Sequence, residues 1–156
     1  MKVTIDLNPG TSGDNVYNKC GQSSPGNPKK GEGLFNEALV DSNNDGVTDD
    51  TSRICGDLPY VTSTKVLTST TALGGNMYQV NYLIQVKNLG GAVGQYDLKD
   101  VPGYEDDITI GSASYTSTAP GNAGGALAGV GPWTLANDQN IAIGATHDYV
   151  LSLIQF

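Results

Sequence analysis

Alternation of apolar and polar residues over residues 77–88, "MYQVNYLIQVKN", most limits what this chain can fold into. Apolar side chains occupy every second position: Tyr78, Val80, Tyr82, Ile84 and Val86. Leu83, on the polar face, is the one exception to the pattern. A period of two residues is typical of a β-strand that buries one face. Residues 60–70 are rich in β-branched side chains, which also favour strands. Helical periodicity is nearly absent, so the sequence predicts an all-β fold.

Turn signals divide the chain at short intervals: "LGGN", "NLGG", "PGYEDD", "APGNAGG" and "ANDQN". Seven or eight strands between residues 61 and 156 predict an antiparallel β-sandwich of immunoglobulin-like size. The first sixty residues read differently, as a strand, a long loop rich in Gly, Pro, Ser and Asn, and a hairpin. We therefore expect residues 1–59 to form an appended part that packs on the sandwich or on a neighbouring unit, and residues 60–156 to form the sandwich.

An acidic stretch at residues 41–50, "DSNNDGVTDD", has two interpretations. The flanking segments can pair as a hairpin around Asp45-Gly46, a dipeptide typical of a tight type I′ turn. Alternating oxygen-bearing side chains can instead wrap a calcium ion. The candidate calcium ligands are Asp41, Asn43, Asp45 and Asp49. The bidentate Glu expected at the twelfth position of such a loop is missing, so the sequence leaves a solvated turn and a calcium site both open.

Charge excludes several classes of partner. The chain holds 8 basic and 16 acidic residues, with a formal net charge of −8. Such a chain cannot neutralise a row of phosphates and is repelled by anionic membrane surfaces. No stretch approaches the roughly 18 apolar residues of a membrane span. An acidic, lysine-poor composition is typical of extracellular proteins. No charged-then-apolar leader follows Met1, so we expect a mature or excised unit, and the sequence leaves open whether Met1 is the native start.

Cys20 and Cys55 are the two cysteines. They form a disulfide or are two separate buried thiols, and the composition favours the disulfide. The bond would close a 35-residue loop and stabilise the fold by about 3–4 kcal/mol in the chain-entropy model. One histidine and two cysteines make a poor zinc set.

No catalytic constellation can be assembled from the sequence, so we expect that the protein is not an enzyme. His147 is the single histidine, and no G-x-S-x-G motif accompanies it. We expect His147 to be an exposed strand residue. We expect Trp133 to fill the sandwich core rather than to form a platform for sugars.

Three stretches carry a resemblance to a known family: "ICGDLPYVTSTKVLTS", "YQVNYLIQVKNLGGAVGQYDLKDVPG" and "GPWTLANDQNIAIGATHDYVLSL". They resemble the conserved-repeat domains of large bacterial surface proteins, which are prealbumin-like (transthyretin-like) or immunoglobulin-like sandwiches. The resemblance implies a stalk or fibre module at the bacterial cell surface or outside the cell, with no reaction assigned. The alternative is a module on such a stalk that binds a carbohydrate or a host protein.

The resemblance also implies that the chain is one repeat period cut out of register with its fold. Both ends would then be exposed strands that pair with copies of the same unit. The residues expected to join units are Val3, Ile5, Leu151, Leu153 and Phe156. The simpler alternative is that the two terminal strands pair with each other within one chain.

Related adhesin domains contain an isopeptide bond from a strand lysine. The resemblance implies Lys65 as the amine and Asp97 or Asp100 as the acid, with Asp148 the nearest candidate in the last strand. The ordinary alternative is a surface lysine with conventional partners.

Overall fold

A computed structural model describes residues 19–21 and 25–156, and the fold within these ranges is all-β. Nine strands and no helix lie in the described part of the chain, so no described helix can span a membrane. The strands are β1 (Asn36–Val40), β2 (Asp50–Ile54), β3 (Val61–Gly74), β4 (Met77–Asn88), β5 (Gly94–Asp100), β6 (Ile110–Ser117), β7 (Gly124–Leu127), β8 (Trp133–Ile141) and β9 (Thr146–Gln155). The predicted all-β class is confirmed.

The chain divides into two compact units. The first comprises Met1–Tyr60 with Gly90–Ala92, and the second comprises Val61–Leu89 with Val93–Phe156. Within the first unit, β1 and β2 form an antiparallel hairpin, and all ten of its strand residues are exposed. The hairpin joins the segments that the sequence indicated. The prediction of a tight two-residue turn is wrong, because nine residues connect β1 to β2.

A disulfide joins Cys20 to Cys55, which confirms the predicted pairing. Two carboxylates hold the backbone around it. Asp57 Oδ1 accepts from the Cys20 amide at 2.7 Å, and the buried Glu32 accepts from the amides of Gly21 and Lys29 at 2.7 and 3.1 Å. The described backbone next to the disulfide is thus held by a covalent bond and by charge-assisted hydrogen bonds.

The second unit contains two antiparallel sheets. Five strands pair in the order β3-β4-β9-β6-β7, and β5 pairs with β8. One cluster of buried side chains draws on strands of both sheets, as in a β-sandwich: Ile84, Val86, Ala113, Ala119, Trp133, Leu135, Ala136, Ile141, Tyr149, Leu151 and Leu153. The alternation of β4 explains its share of this core, because Val80, Ile84 and Val86 are buried on one face.

The C-terminal strand does not have the exposed edge that the resemblance implied. β9 pairs with β4 from Lys87↔Thr146 to Tyr78↔Gln155, and on its other side with β6. Leu151 and Leu153 are fully buried in the core. Phe156, which is half exposed, exchanges both backbone hydrogen bonds with Thr109. β4 and β6 occupy both sides of β9, so this strand has no free edge in the described structure. Val3 and Ile5 lie outside the described residues.

A glycine lies at an irregularity of β6. β6 is one strand with a register shift between Ile110 and Ser112. Gly111 packs against Phe156, and a Cβ there would lie 2.8 Å from the ring. The glycine therefore makes a bulge rather than ending the strand.

Candidate functional site, an edge strand and an inward lysine

β3 is the longest strand of the second unit, and one of its two edges is free. It lies at the end of the five-stranded sheet and pairs only with β4 in the described structure. Twelve of its fourteen residues are exposed. Val66 and Leu67 are 50% and 59% exposed, although both are apolar. An exposed edge strand presents free N–H and C=O groups that can template another strand.

The regular part of this edge runs from Val61 to Leu67. Register shifts follow between Leu67 and Ser69 and between Ala72 and Gly74. Seven residues at about 3.3 Å each give a straight edge of about 23 Å. That stretch contains no proline and no acid. Its single charge belongs to Lys65, which does not face the free edge.

Lys65 lies on the inner face of the sheet, because it is directly opposite the core residue Ile84. Its Nζ is 2.5 Å from Oδ1 of Asp100, at the end of β5. The same Nζ lies 4.6 Å from the centroid of the Tyr82 ring, a cation–π contact. The Asp100 side chain is 6% exposed and that of Lys65 is 39% exposed, so the carboxylate is the buried partner.

Tyrosines extend this cluster further. The Tyr104 hydroxyl donates to the Tyr82 hydroxyl at 3.2 Å. Burial, helped by the Tyr82 hydroxyl, raises the pKa of Tyr104 well above its usual range. Lys65, Asp100, Tyr82 and Tyr104 thus form a polar cluster, and we call it the lysine cluster. It connects the edge strand to the neighbouring β5 and to the segment after it.

The structure distinguishes the two acids that the sequence offered as partners of Lys65. Asp100 contacts the lysine, whereas Asp97 Oδ1 accepts from the Asp138 amide at 2.8 Å. Asp148 accepts from Gln85 Nε2 at 2.9 Å. Among the described residues, Asp100 is the one carboxylate within 4 Å of the Lys65 ammonium. An amide from this pair would release water, after a proton had left the amine and the carboxyl had gained one.

The acidic hairpin loop is organised by its own backbone. Both carboxylate oxygens of Asp41 accept amide hydrogens, including that of Asn44 at 2.6 Å and that of Gly46 at 2.8 Å. Asp49 accepts from the Ser42 hydroxyl at 2.6 Å and from the Ser42 amide at 2.8 Å. The amide of Gly46 chiefly lowers the pKa of Asp41, and the hydroxyl of Ser42 chiefly lowers that of Asp49.

These contacts explain why the loop is longer than the predicted turn. Side-chain caps of the Asx type stabilise nine residues that carry two left-handed positions, Asn44 at φ 59° and Gly46 at φ 85°. Asn43 and Asp45 also bond within the loop. In the part of the chain that the structure describes, no group of three or more His, Cys, Asp or Glu side chains is arranged to hold a metal ion. Calcium binding stays a prediction.

A buried polar network in the second unit was missed from the sequence. His147 is 6% exposed, which contradicts the expected surface position. The Tyr96 hydroxyl lies 2.8 Å from His147 Nδ1 and 2.7 Å from the Tyr149 hydroxyl. Burial lowers the pKa of His147 and raises that of Tyr96. The signal was available, since His147, Tyr149 and Leu151 alternate on one face of β9.

Trp133 is 4% exposed and donates its indole N–H to the Ala128 carbonyl at 2.9 Å. It fills the core, as the sequence indicated.

An open groove of about 330 Å³ lies elsewhere in the second unit and contains one aromatic residue, Tyr104. The groove is lined by Pro102, Tyr104, Glu105, Ile108, Thr109, Ile110 and Val130.

Comparison of the chain with protein-family models, with curated proteins and with solved structures finds no significant match.

Proposed function

We propose that this chain is a structural module of an extracellular fibre or bacterial surface stalk, and that its units associate through the edge of β3. The observation that carries the proposal is the free edge itself. Val61–Leu67 forms a regular strand segment with exposed apolar side chains on both faces, Val66 and Leu67. Proteins usually cover or blunt such an edge, because it promotes association.

Association through β3 replaces the terminal-strand joint that the resemblance implied. β9 is paired on both sides, so it has no backbone groups to offer a neighbour. β7, at the opposite end of the five-stranded sheet, has four residues and includes two glycines. Its short length gives little support to strand addition. Of the two strands that end the five-stranded sheet, β3 is therefore the better edge for pairing with another copy.

Two further properties support an extracellular structural role. The Cys20–Cys55 disulfide is of a kind that persists in oxidising compartments. The acidic composition and the similarity of three stretches to bacterial surface repeats favour the same location. The alternative function, recognition of a carbohydrate or host protein, loses its main aromatic platform because Trp133 is in the core.

Electron microscopy of the native material tests this function. A structural module predicts filaments or stalks with an axial repeat of one unit. Isolated globular particles at high protein concentration would contradict it. The disulfide serves as an independent check of location, since the native protein should resist alkylation until a reductant is added.

A further inference from the structure

We infer that the partner of the β3 edge is the β1–β2 hairpin of a second copy of this chain, which adds its strand β1 beside Val61–Leu67. The inference rests on the proposed function and names both surfaces of the joint. Two elements of the chain carry the inference: the free edge of β3 in the second unit and the exposed β1–β2 hairpin in the first.

The β1–β2 hairpin is a suitable partner for the β3 edge because it has only two strands and both are exposed. All five residues of β1 and all five of β2 are exposed. Apolar side chains are among them, with Leu39 60% exposed, Val40 50% and Ile54 72%. An isolated two-stranded hairpin is at best marginally stable in water, and a third strand with apolar contacts stabilises it. Strand addition would provide that third strand.

Length and pattern match between the two strands. β1 has five residues, and the regular stretch of β3 has seven. Each strand carries two consecutive apolar residues, Leu39-Val40 in β1 and Val66-Leu67 in β3. Consecutive strand residues point to opposite faces, so each strand presents one apolar side chain on each side of the joined sheet.

Charge is complementary as well. Between residues 36 and 54 the hairpin has five acids and one arginine, a net charge of −5 + 1 = −4. Between residues 61 and 88 the β3–β4 ribbon has two lysines and no acid. Asp100 compensates the inward Lys65, so the exposed Lys87 is the positive charge that this ribbon offers to a partner. In a chain of net charge −8, this ribbon is a favourable docking surface for an acidic element. The attraction should weaken as salt is added.

A joint between two different surfaces is heterologous. Each copy offers one hairpin and one edge, so the contact repeats from copy to copy and generates an open fibre or a ring. A β3-to-β3 joint between two copies would use the same surface twice and would stop at a dimer.

Two single variants of the full chain test the joint. Val66→Glu blocks the edge and leaves the hairpin intact, whereas Leu39→Glu blocks the hairpin and leaves the edge intact. Ile143→Glu is the matched control, because Ile143 is 55% exposed in the turn before β9. Circular dichroism and thermal unfolding check that each variant folds. Sedimentation velocity over a range of protein concentrations measures assembly.

The joint predicts that Val66→Glu and Leu39→Glu each weaken assembly at least about tenfold, since each buries an unpaired carboxylate. Ile143→Glu should assemble like the native chain. An equimolar mixture of the two blocked variants should form 1:1 dimers and nothing longer, because one intact hairpin meets one intact edge.

Other outcomes overturn the inference in distinguishable ways. If the native chain assembles and Leu39→Glu has no effect, the hairpin is not the partner, although a structural function survives. If the mixture stays monomeric, the two surfaces do not meet. A native chain that remains monomeric with its hairpin protected from hydrogen exchange would place the contact within one copy, and would contradict the proposed function as well.

Discussion

The ammonium of Lys65 lies 2.5 Å from the carboxylate of Asp100, and this contact ties the edge strand of one sheet to the end of a strand in the other. An inward lysine on an edge strand commonly discourages pairing with other chains. Here the charge is compensated by Asp100 and by the Tyr82 ring, so Lys65 anchors β3 and leaves the outer edge free of charge.

The contact between Lys65 and Asp100 predicts that replacing the lysine alone destabilises the protein more than replacing both residues. Lys65→Met leaves the Asp100 carboxylate buried without its cation, and we expect a loss of about 1–3 kcal/mol in the free energy of unfolding. The double variant Lys65→Met/Asp100→Asn should recover most of that loss. Lys87→Met removes an exposed lysine and should change stability by less than about 0.5 kcal/mol. Urea denaturation of the four proteins provides the comparison.

Intact mass shows whether the pair is ionic or covalent. We expect an ion pair, since no second carboxylate among the described residues lies within 4 Å of the lysine to assist proton transfer. The reduced chain should then have the full mass of its sequence. A deficit of one water that disappears in Asp100→Ala would show the isopeptide bond that the resemblance implied.

Calcium binding at the hairpin loop is the second prediction. Asp41, Asn43, Asp45 and Asp49 supply oxygen ligands, and the loop lacks the bidentate Glu of tight sites. We therefore expect weak binding, with a dissociation constant on the order of 0.1–1 mM, typical of extracellular modules. Calorimetry should detect it in the native chain and not in Asp45→Ala. Asp106→Ala, which removes an acid of the second unit, should bind like the native chain. Equal heats in all three would refute a site in the loop.

A third prediction concerns acid stability. Burial lowers the pKa of His147 in the folded chain below the unfolded value of about 6.5. The unfolded chain therefore binds a proton first as the pH falls, and stability decreases from about pH 6.5 towards the folded pKa. The groups facing the imidazole include the hydroxyl of Tyr96. His147→Gln should flatten the stability profile between pH 6.5 and 5, as measured by thermal unfolding. An unchanged slope would show that His147 is not responsible.

A fourth prediction tests a close backbone contact in the first unit. A Cβ on Gly90 would overlap the Leu58 carbonyl oxygen and the Tyr60 amide, where Gly91 already donates to Leu58 at 2.9 Å. Gly90→Ala should destabilise the protein by about 1–3 kcal/mol. Gly103→Ala meets no atom within 4 Å and should be nearly neutral. Equal unfolding temperatures for the two variants would contradict the contact.

Local patterns predicted much of this fold. The alternation of residues 77–88 placed β4 with the bounds that the structure shows, because a half-buried strand requires that pattern. The hairpin segments and the disulfide were also predicted. The turn between β1 and β2 was misjudged, since Asp41 and Asp49 cap backbone amides and extend the loop to nine residues.

Which strands pair with one another was harder to predict than where the strands lie in the sequence. The last strand, with apolar residues on both faces, was expected at an exposed edge, yet it lies in the middle of the sheet between β4 and β6. Sequence shows which residues favour burial but not which strands cover them. The same gap explains why Asp100 could not be separated from Asp97, three residues away, as the partner of Lys65.

Hydrogen–deuterium exchange of β3 in assembled and in diluted protein tests the central claim most directly. The amides of Val61–Leu67 that do not bond to β4 should exchange rapidly in the monomer, because the edge is free. Assembly through this edge predicts strong protection of those amides, together with protection of β1, and loss of both in Val66→Glu. Equally rapid exchange of the β3 amides in the assembled material would contradict the account.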